Sequence, residues 1–120
     1  MHELTIFEQT YTFNFGLGFV KEINKTATVE NNGYKRNVGL QTRLAELLDG
    51  DVIALADILL MGNKGQTPRL TPAALEKYID DPGTDIDALF TEVLDFLRQT
   101  NAAGRTLRNL EKMMEQTAAR

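Results

Sequence analysis

Between Ile86 and Leu97 the apolar residues fall on one side of a helix. Ile86, Leu89, Phe90, Val93, Leu94 and Leu97 recur at spacings of three and four. A stripe this continuous is stable in water only when it packs on other apolar elements, so the remaining chain has to supply a core. Its ends are marked as well. Thr84 reads as an N-cap, Asp85 and Asp87 place negative charge in the first turn, and Arg98 places positive charge in the last. The predicted helix covers about 85–99.

The other elements follow from the same periodicities. Leu4 and Ile6, then Tyr11, Phe13 and Phe15, alternate with polar residues, which predicts a short hairpin over about 3–15, turning at Phe7-Glu8-Gln9-Thr10. Two strands alone are marginal, so the hairpin's aromatic face must rest on helices. Phe19, Val20, Ile23 and Ala27 predict a helix over about 17–29, stopped at Asn31-Asn32-Gly33. An Asn-Gly hairpin turn is the rival at that point, but Thr28-Val29 and Tyr34-Lys35 look like poor strands. Leu40, Leu44, Leu47 and Leu48 predict a helix over about 38–49. Asp51 caps the next, about 52–61, which is apolar nearly all round and is expected to be central in the core. A loop from Gly62 to Pro68 precedes Thr71-Pro72, an N-cap with proline at the first helical position, and a helix over about 72–80. Leu107, Leu110, Met113 and Met114 predict a last helix over about 105–117. The fold class is therefore α+β, mainly α: a short N-terminal β-hairpin packed on a bundle of about five to six helices, in one domain over 1–120.

Composition narrows the chemistry. With 120 residues, 42% hydrophobic and 25% charged, the chain can bury a core without staples. It contains no cysteine, which removes disulfides, thiolate metal sites and cysteine nucleophiles. The longest apolar run, Val52 to Met61, contains Asp57 and falls short of the ~20 residues that span a bilayer, so a cytosolic protein without a membrane partner is expected. The net charge of -4 argues against a nucleic-acid partner held through phosphates. The charge is uneven: seven acids and one base lie between Glu76 and Asp95, whereas from Arg98 onward five bases face two acids. Those two segments read as solvated faces that could also dock on each other or on a neighbouring copy.

Catalytic and cofactor patterns are incomplete. The single histidine, His2, lies at a terminus, where chains fray and a general base is poorly held. Gly16-Leu17-Gly18 resembles the start of a dinucleotide-binding turn, but Lys21 stands where the third glycine belongs. Asp81, Asp85, Asp87 and Glu92 fit positions 1, 5, 7 and 12 of a calcium loop, yet Gly83 offers no ligand at position 3 and Ile86 replaces the required glycine at position 6. Helix capping explains those carboxylates more simply. No enzyme, metal or cofactor is expected.

Three stretches carry a family likeness: Tyr11 to Lys25, Leu47 to Ile58, and Tyr78 to Leu94, followed by Asn101 and Leu107-Arg108-Asn109-Leu110. Taken in order over about 3–115, they resemble the tail assembly chaperones of long non-contractile-tailed phages and prophages of Gram-positive bacteria. The resemblance implies a protein that binds the long, helical tape measure protein and keeps it soluble while the tail tube polymerises. It also implies a place in the host bacterial cytoplasm and absence from the mature virion. Some family members have a longer, frameshifted form that recruits the tail tube protein; the slippery site for that lies in the messenger RNA. A homo-oligomer is compatible with the same role.

A holding chaperone needs apolar contact surface interspersed with charge and needs no reactive group. The residues expected to form that surface are Leu107, Leu110, Met113 and Met114, with Phe90, Leu94 and Leu97 from the edge of the strongest stripe. The alternative is a small helical DNA-binding regulator of phage origin, since Thr42 to Leu48 could open a helix-turn-helix. Its recognition helix would be Val52 to Met61, which offers no Arg, Lys, Asn or Gln to read base edges.

Overall fold

A computed structural model describes residues 1–118. Strands β1 (His2–Ile6) and β2 (Gln9–Phe13) pair antiparallel with His2 opposite Phe13 and Ile6 opposite Gln9. The turn is only two residues long, Phe7 and Glu8, both at positive φ. That handedness matches the twist of the strands and accounts for so short a connection. The chain then leaves the sheet through Asn14, whose N–H donates to the Gly62 carbonyl at 2.8 Å. Phe15 turns inward instead of extending the strand and meets Phe13 at 6.1 Å and Phe19 at 5.1 Å, the latter edge to face.

Helix α1 spans Leu17–Asn24, shorter than the periodicity predicts. Ala27 is not its next turn. Instead β3 (Thr28–Asn31) and β4 (Tyr34–Asn37) form a second antiparallel hairpin, with Asn32 and Gly33 both at positive φ in the turn. The Asn-Gly turn signal therefore wins over the apolar spacing, because those two residues adopt the required backbone at little cost. Thr26 helps end α1: its hydroxyl donates to the Ile23 carbonyl at 2.6 Å. All eight strand residues of this second hairpin are exposed, so no burial pattern in the sequence announces it.

The remaining chain is helical: α2 (Gly39–Leu48), α3 (Val52–Gly62), α4 (Pro72–Asp80), α5 (Ile86–Arg98) and α6 (Ala102–Ala118). The architecture is mainly α with an N-terminal hairpin, as the sequence predicts, and the second hairpin is added to it. Helix α2 packs on α1, α3 and α6, while α5 packs on α6. The core joins Leu4, Ile6, Phe13 and Phe15 to Leu44, Leu47, Leu55, Ile58, Leu59, Val93, Leu97 and Leu107. Helix α3 is less central than its composition predicts. Ala54, Leu55, Ile58 and Leu59 are buried, but Ile53 is 69% exposed and Val52 40%. That outer side opens onto a shallow groove beside α4.

Several caps depart from the sequence reading. Asp51 and Thr71 cap α3 and α4 as expected, accepting from Ile53 and Ala54, and from Ala74. Helix α5 is capped by Asp85, which accepts from the Ala88 N–H at 3.0 Å, and not by Thr84. The Thr84 hydroxyl instead donates to the Tyr78 carbonyl at 2.6 Å, tying α4 to the next helix. Helix α6 begins three residues before the predicted start, at Ala102, because Ala103 and Gly104 bury against the end of α5. A Cβ added at Gly104 would lie 2.8 Å from the Arg98 carbonyl oxygen. Among the described residues no helix is long and apolar enough to cross a membrane.

A candidate protein-docking face

Helix α6 is amphipathic along its length, and its apolar side runs from the core outward. Ala103 and Leu107 are fully buried, Leu110 is half-buried, and Met113 and Met114 are 57% and 51% exposed. The helix therefore runs past the body of the domain while keeping its apolar stripe. Beside this outer half lies α2, whose Ala45 and Leu48 face the methionines across an open groove of about 680 Å³. Glu46, Asp49 and Thr117 line its margins. An apolar floor with acidic margins suits an amphipathic helix, and methionine's unbranched thioether side chain adapts to varied partner shapes.

The helix is held in place at its base by charge. Arg98, at the end of α5, forms a two-pronged pair with Glu111: Nε to Oε1 at 3.2 Å and Nη2 to Oε2 at 2.9 Å. Its Nη1 reaches Asp95 at 2.8 Å. The hydrogen bond to Glu111 is the main reason the guanidinium holds its proton even more firmly than usual. The Arg98–Glu111 pair thus ties α5 to α6 within the basic segment, while the Arg98–Asp95 pair, inside α5, joins that segment to the acidic one.

The seven residues expected to form contact surface separate into three groups. Leu110, Met113 and Met114 come together in the groove. Phe90 and Leu94 are half-buried against the core and do not line it. Leu97 and Leu107 are corrections: both have no exposure and sit inside the α5–α6 contact, so neither can meet a partner. A helical stripe marks the buried side of a helix without showing where neighbouring elements stop covering it. The groove's other wall was missed, since Ala45 and Leu48 lie more than sixty residues earlier and only tertiary packing brings them to α6.

Elsewhere the polar groups serve structure. Asn63 is the one buried polar side chain among the described residues. Its Nδ2 donates to the Thr12 and Pro68 carbonyls at 3.0 and 3.2 Å, and its Oδ1 accepts from the Leu70 N–H at 2.6 Å. His2 is not frayed: its ring stacks on Phe96 at 4.5 Å, and burial, helped by the N-terminal charge, pushes its pKa down. Asp81 and Asp85, placed in the calcium register above, accept backbone N–H groups from Gly83 and Ala88. Among the described residues no three acidic or histidine side chains converge as a metal requires.

The fold is a helical scaffold that presents an open apolar face between α2 and α6. A family model described as phage tail assembly chaperone protein matches residues 3–112, so the chain belongs to the phage tail assembly chaperone family. Comparison with curated proteins and with solved structures finds no match.

Proposed function

We propose that this chaperone binds the tape measure protein through the groove between α2 and α6, and keeps it soluble while the tail tube assembles. The observation that carries the reading is the exposure of Met113 and Met114 beside Leu48 and Leu110, on a helix whose buried residues already anchor it to the core. Exposed methionines of this kind gain by burial against a helical partner, about 0.8 kcal/mol per CH₂ removed from water. A long helical protein with an apolar stripe of its own offers the complementary surface. The protein works in the host bacterial cytoplasm and leaves before the virion is complete. The regulator reading is disfavoured by the exposed residues of α3: Val52 and Ile53 carry no side-chain donor or acceptor, and the Asp57 carboxylate is repelled by phosphates.

The test is co-expression with the tape measure protein of the same phage, reading the soluble fraction of that partner. The wild-type chain is expected to keep it soluble. Met113→Glu combined with Met114→Glu is expected to lose that effect with an unchanged far-UV circular dichroism spectrum, because both side chains are exposed. Equal solubility of the partner with and without the chaperone overturns the proposal.

A further inference from the structure

The groove between α2 and α6 carries its charge only along α2, and that charge sits where a helix least favours it. Helices α1, α4 and α5 each place a base in the last turn, Lys21, Lys77 and Arg98, as the negative end of a helix dipole favours. Helix α2 has no base there. Glu46 lies in its last turn instead, and Asp49 is its C-cap residue. The carbonyl end of the helix thus adds its own negative potential to that of two carboxylates.

The two carboxylates differ in what holds them. Arg43, one turn back on α2, pairs with Oε1 of Glu46. Among the described residues Asp49 takes part in no ion pair. It is exposed at the rim of the groove, beside the floor formed by Ala45, Leu48, Leu110, Met113 and Met114, and no base is among the described lining residues. An acid kept at the unfavourable end of a helix gives up stability in the free chain. A cation docked beside that apolar floor restores it.

We propose that Asp49 makes the α2–α6 groove select helices that carry a Lys or Arg beside their apolar stripe, and so sets which segments of the tape measure protein are held. This selection rests on the groove being the tape measure site. From Leu110 to Thr117 the floor runs about 10 Å at the helical rise, so a docked helix presents roughly two turns to it. Apolar side chains three and four apart fill the floor, and a base on the flank of the same two turns reaches the Asp49 carboxylate. Lys and Arg suit that place because their long stems lie along apolar surface while the charged head stays in water at the rim. A helix with an acidic flank meets the Asp49 carboxylate and the negative end of α2 together, and is rejected.

Fluorescence anisotropy of the full chain with two labelled helical peptides tests this. The peptides share one Leu stripe; one carries Lys beside it and the other Glu. The wild-type chain is expected to bind the Lys peptide about fivefold more tightly at low salt, a difference that fades as added salt screens the charges. Asp49→Lys is expected to reverse the preference and to raise the Tm of the free chain, since a base then stands at the negative end of α2. Asp80→Lys makes the same change in net charge at an exposed position outside the groove and is expected to keep the preference. Met113→Gln with Met114→Gln is expected to weaken both peptides. Equal binding of the two peptides by the wild type overturns the selection, as does binding of neither. So does an Asp49→Lys chain that still prefers the Lys peptide, or an Asp80→Lys chain that loses the preference. If tape measure solubility still depends on Met113 and Met114 in those cases, the groove reading stands without the selection. A methionine pair that is silent in both assays overturns the two together.

Discussion

Replacing Asn63 with alanine removes one small amide from the sequence but four hydrogen bonds from the structure, the weakest of them from the exposed Arg69 at 3.4 Å. The Leu70 N–H sits in a fully buried residue, and losing its 2.6 Å acceptor costs about 1–3 kcal/mol. The Thr12 and Pro68 carbonyls lie in half-buried residues, so each adds roughly 1 kcal/mol, at the low end of the range. The sum, about 3–5 kcal/mol, is a large fraction of the ~5–15 kcal/mol that holds a domain together. At this chain length it corresponds to a fall in Tm on the order of 10–20 °C. Differential scanning calorimetry and urea titration both read it.

Asn63→Asp separates the hydrogen-bond pattern from mere burial. The new oxygen in place of Nδ2 would face the Thr12 and Pro68 carbonyl oxygens and could no longer donate. Burial and those carbonyls raise the carboxyl's folded-state pKa above its unfolded value of about 3.9. Arg69 opposes this from 3.4 Å on the other oxygen, but its side chain is exposed and screened. A raised folded pKa gives stability that is present below the unfolded pKa and is lost as pH rises through the folded value. The variant should therefore be less stable relative to wild type at pH 7 than near pH 4. An alanine variant within about 1 kcal/mol of wild type would refute the account, as would a carboxylate variant indifferent to pH.

Gly39→Ala should be among the most damaging single changes, because its Cβ would lie 1.8 Å from the Ile23 carbonyl oxygen at the end of α1. Backbone must move to admit it, so a loss of at least the ~1–3 kcal/mol typical of overpacking is expected in thermal melts. Asp51→Ala removes the acceptor for Ile53 and Ala54 at the start of α3 and should cost about 1 kcal/mol by urea denaturation, with α4 and α5 unaffected by hydrogen exchange. His2 should titrate below its usual 6.5 by NMR, since burial and the N-terminal charge disfavour the imidazolium. A depressed folded pKa of a base means that stability falls as pH drops through 6.5 and levels off below the folded value. His2→Phe, which keeps the stacking on Phe96, should abolish that dependence.

Local pattern determined most of the helices in this protein, because side chains three and four apart share a face whatever surrounds them. Leu40 to Leu48, Ile86 to Leu97 and the Thr71-Pro72 start could all be read directly. The likeness to tail assembly chaperones was legible for a related reason: it is carried by residues in order along the chain, and the family match over 3–112 rests on the same order. Tertiary structure decided what local pattern leaves open. Ile23 and Ala27 fit a helical spacing, yet Asn32-Gly33 closes a hairpin there, since an exposed hairpin carries no burial signal to compete with that spacing. Leu107 and Met113 belong to one stripe, but the body of the domain ends between them, burying the first and exposing the second. Leu48 and Met114, or Ile53 and Ile79, become neighbours only when helices distant in sequence pack side by side. Spacing tells which face of a helix is apolar; how far the rest of the chain covers that face depends on where other helices stop, and that is a property of the packed whole.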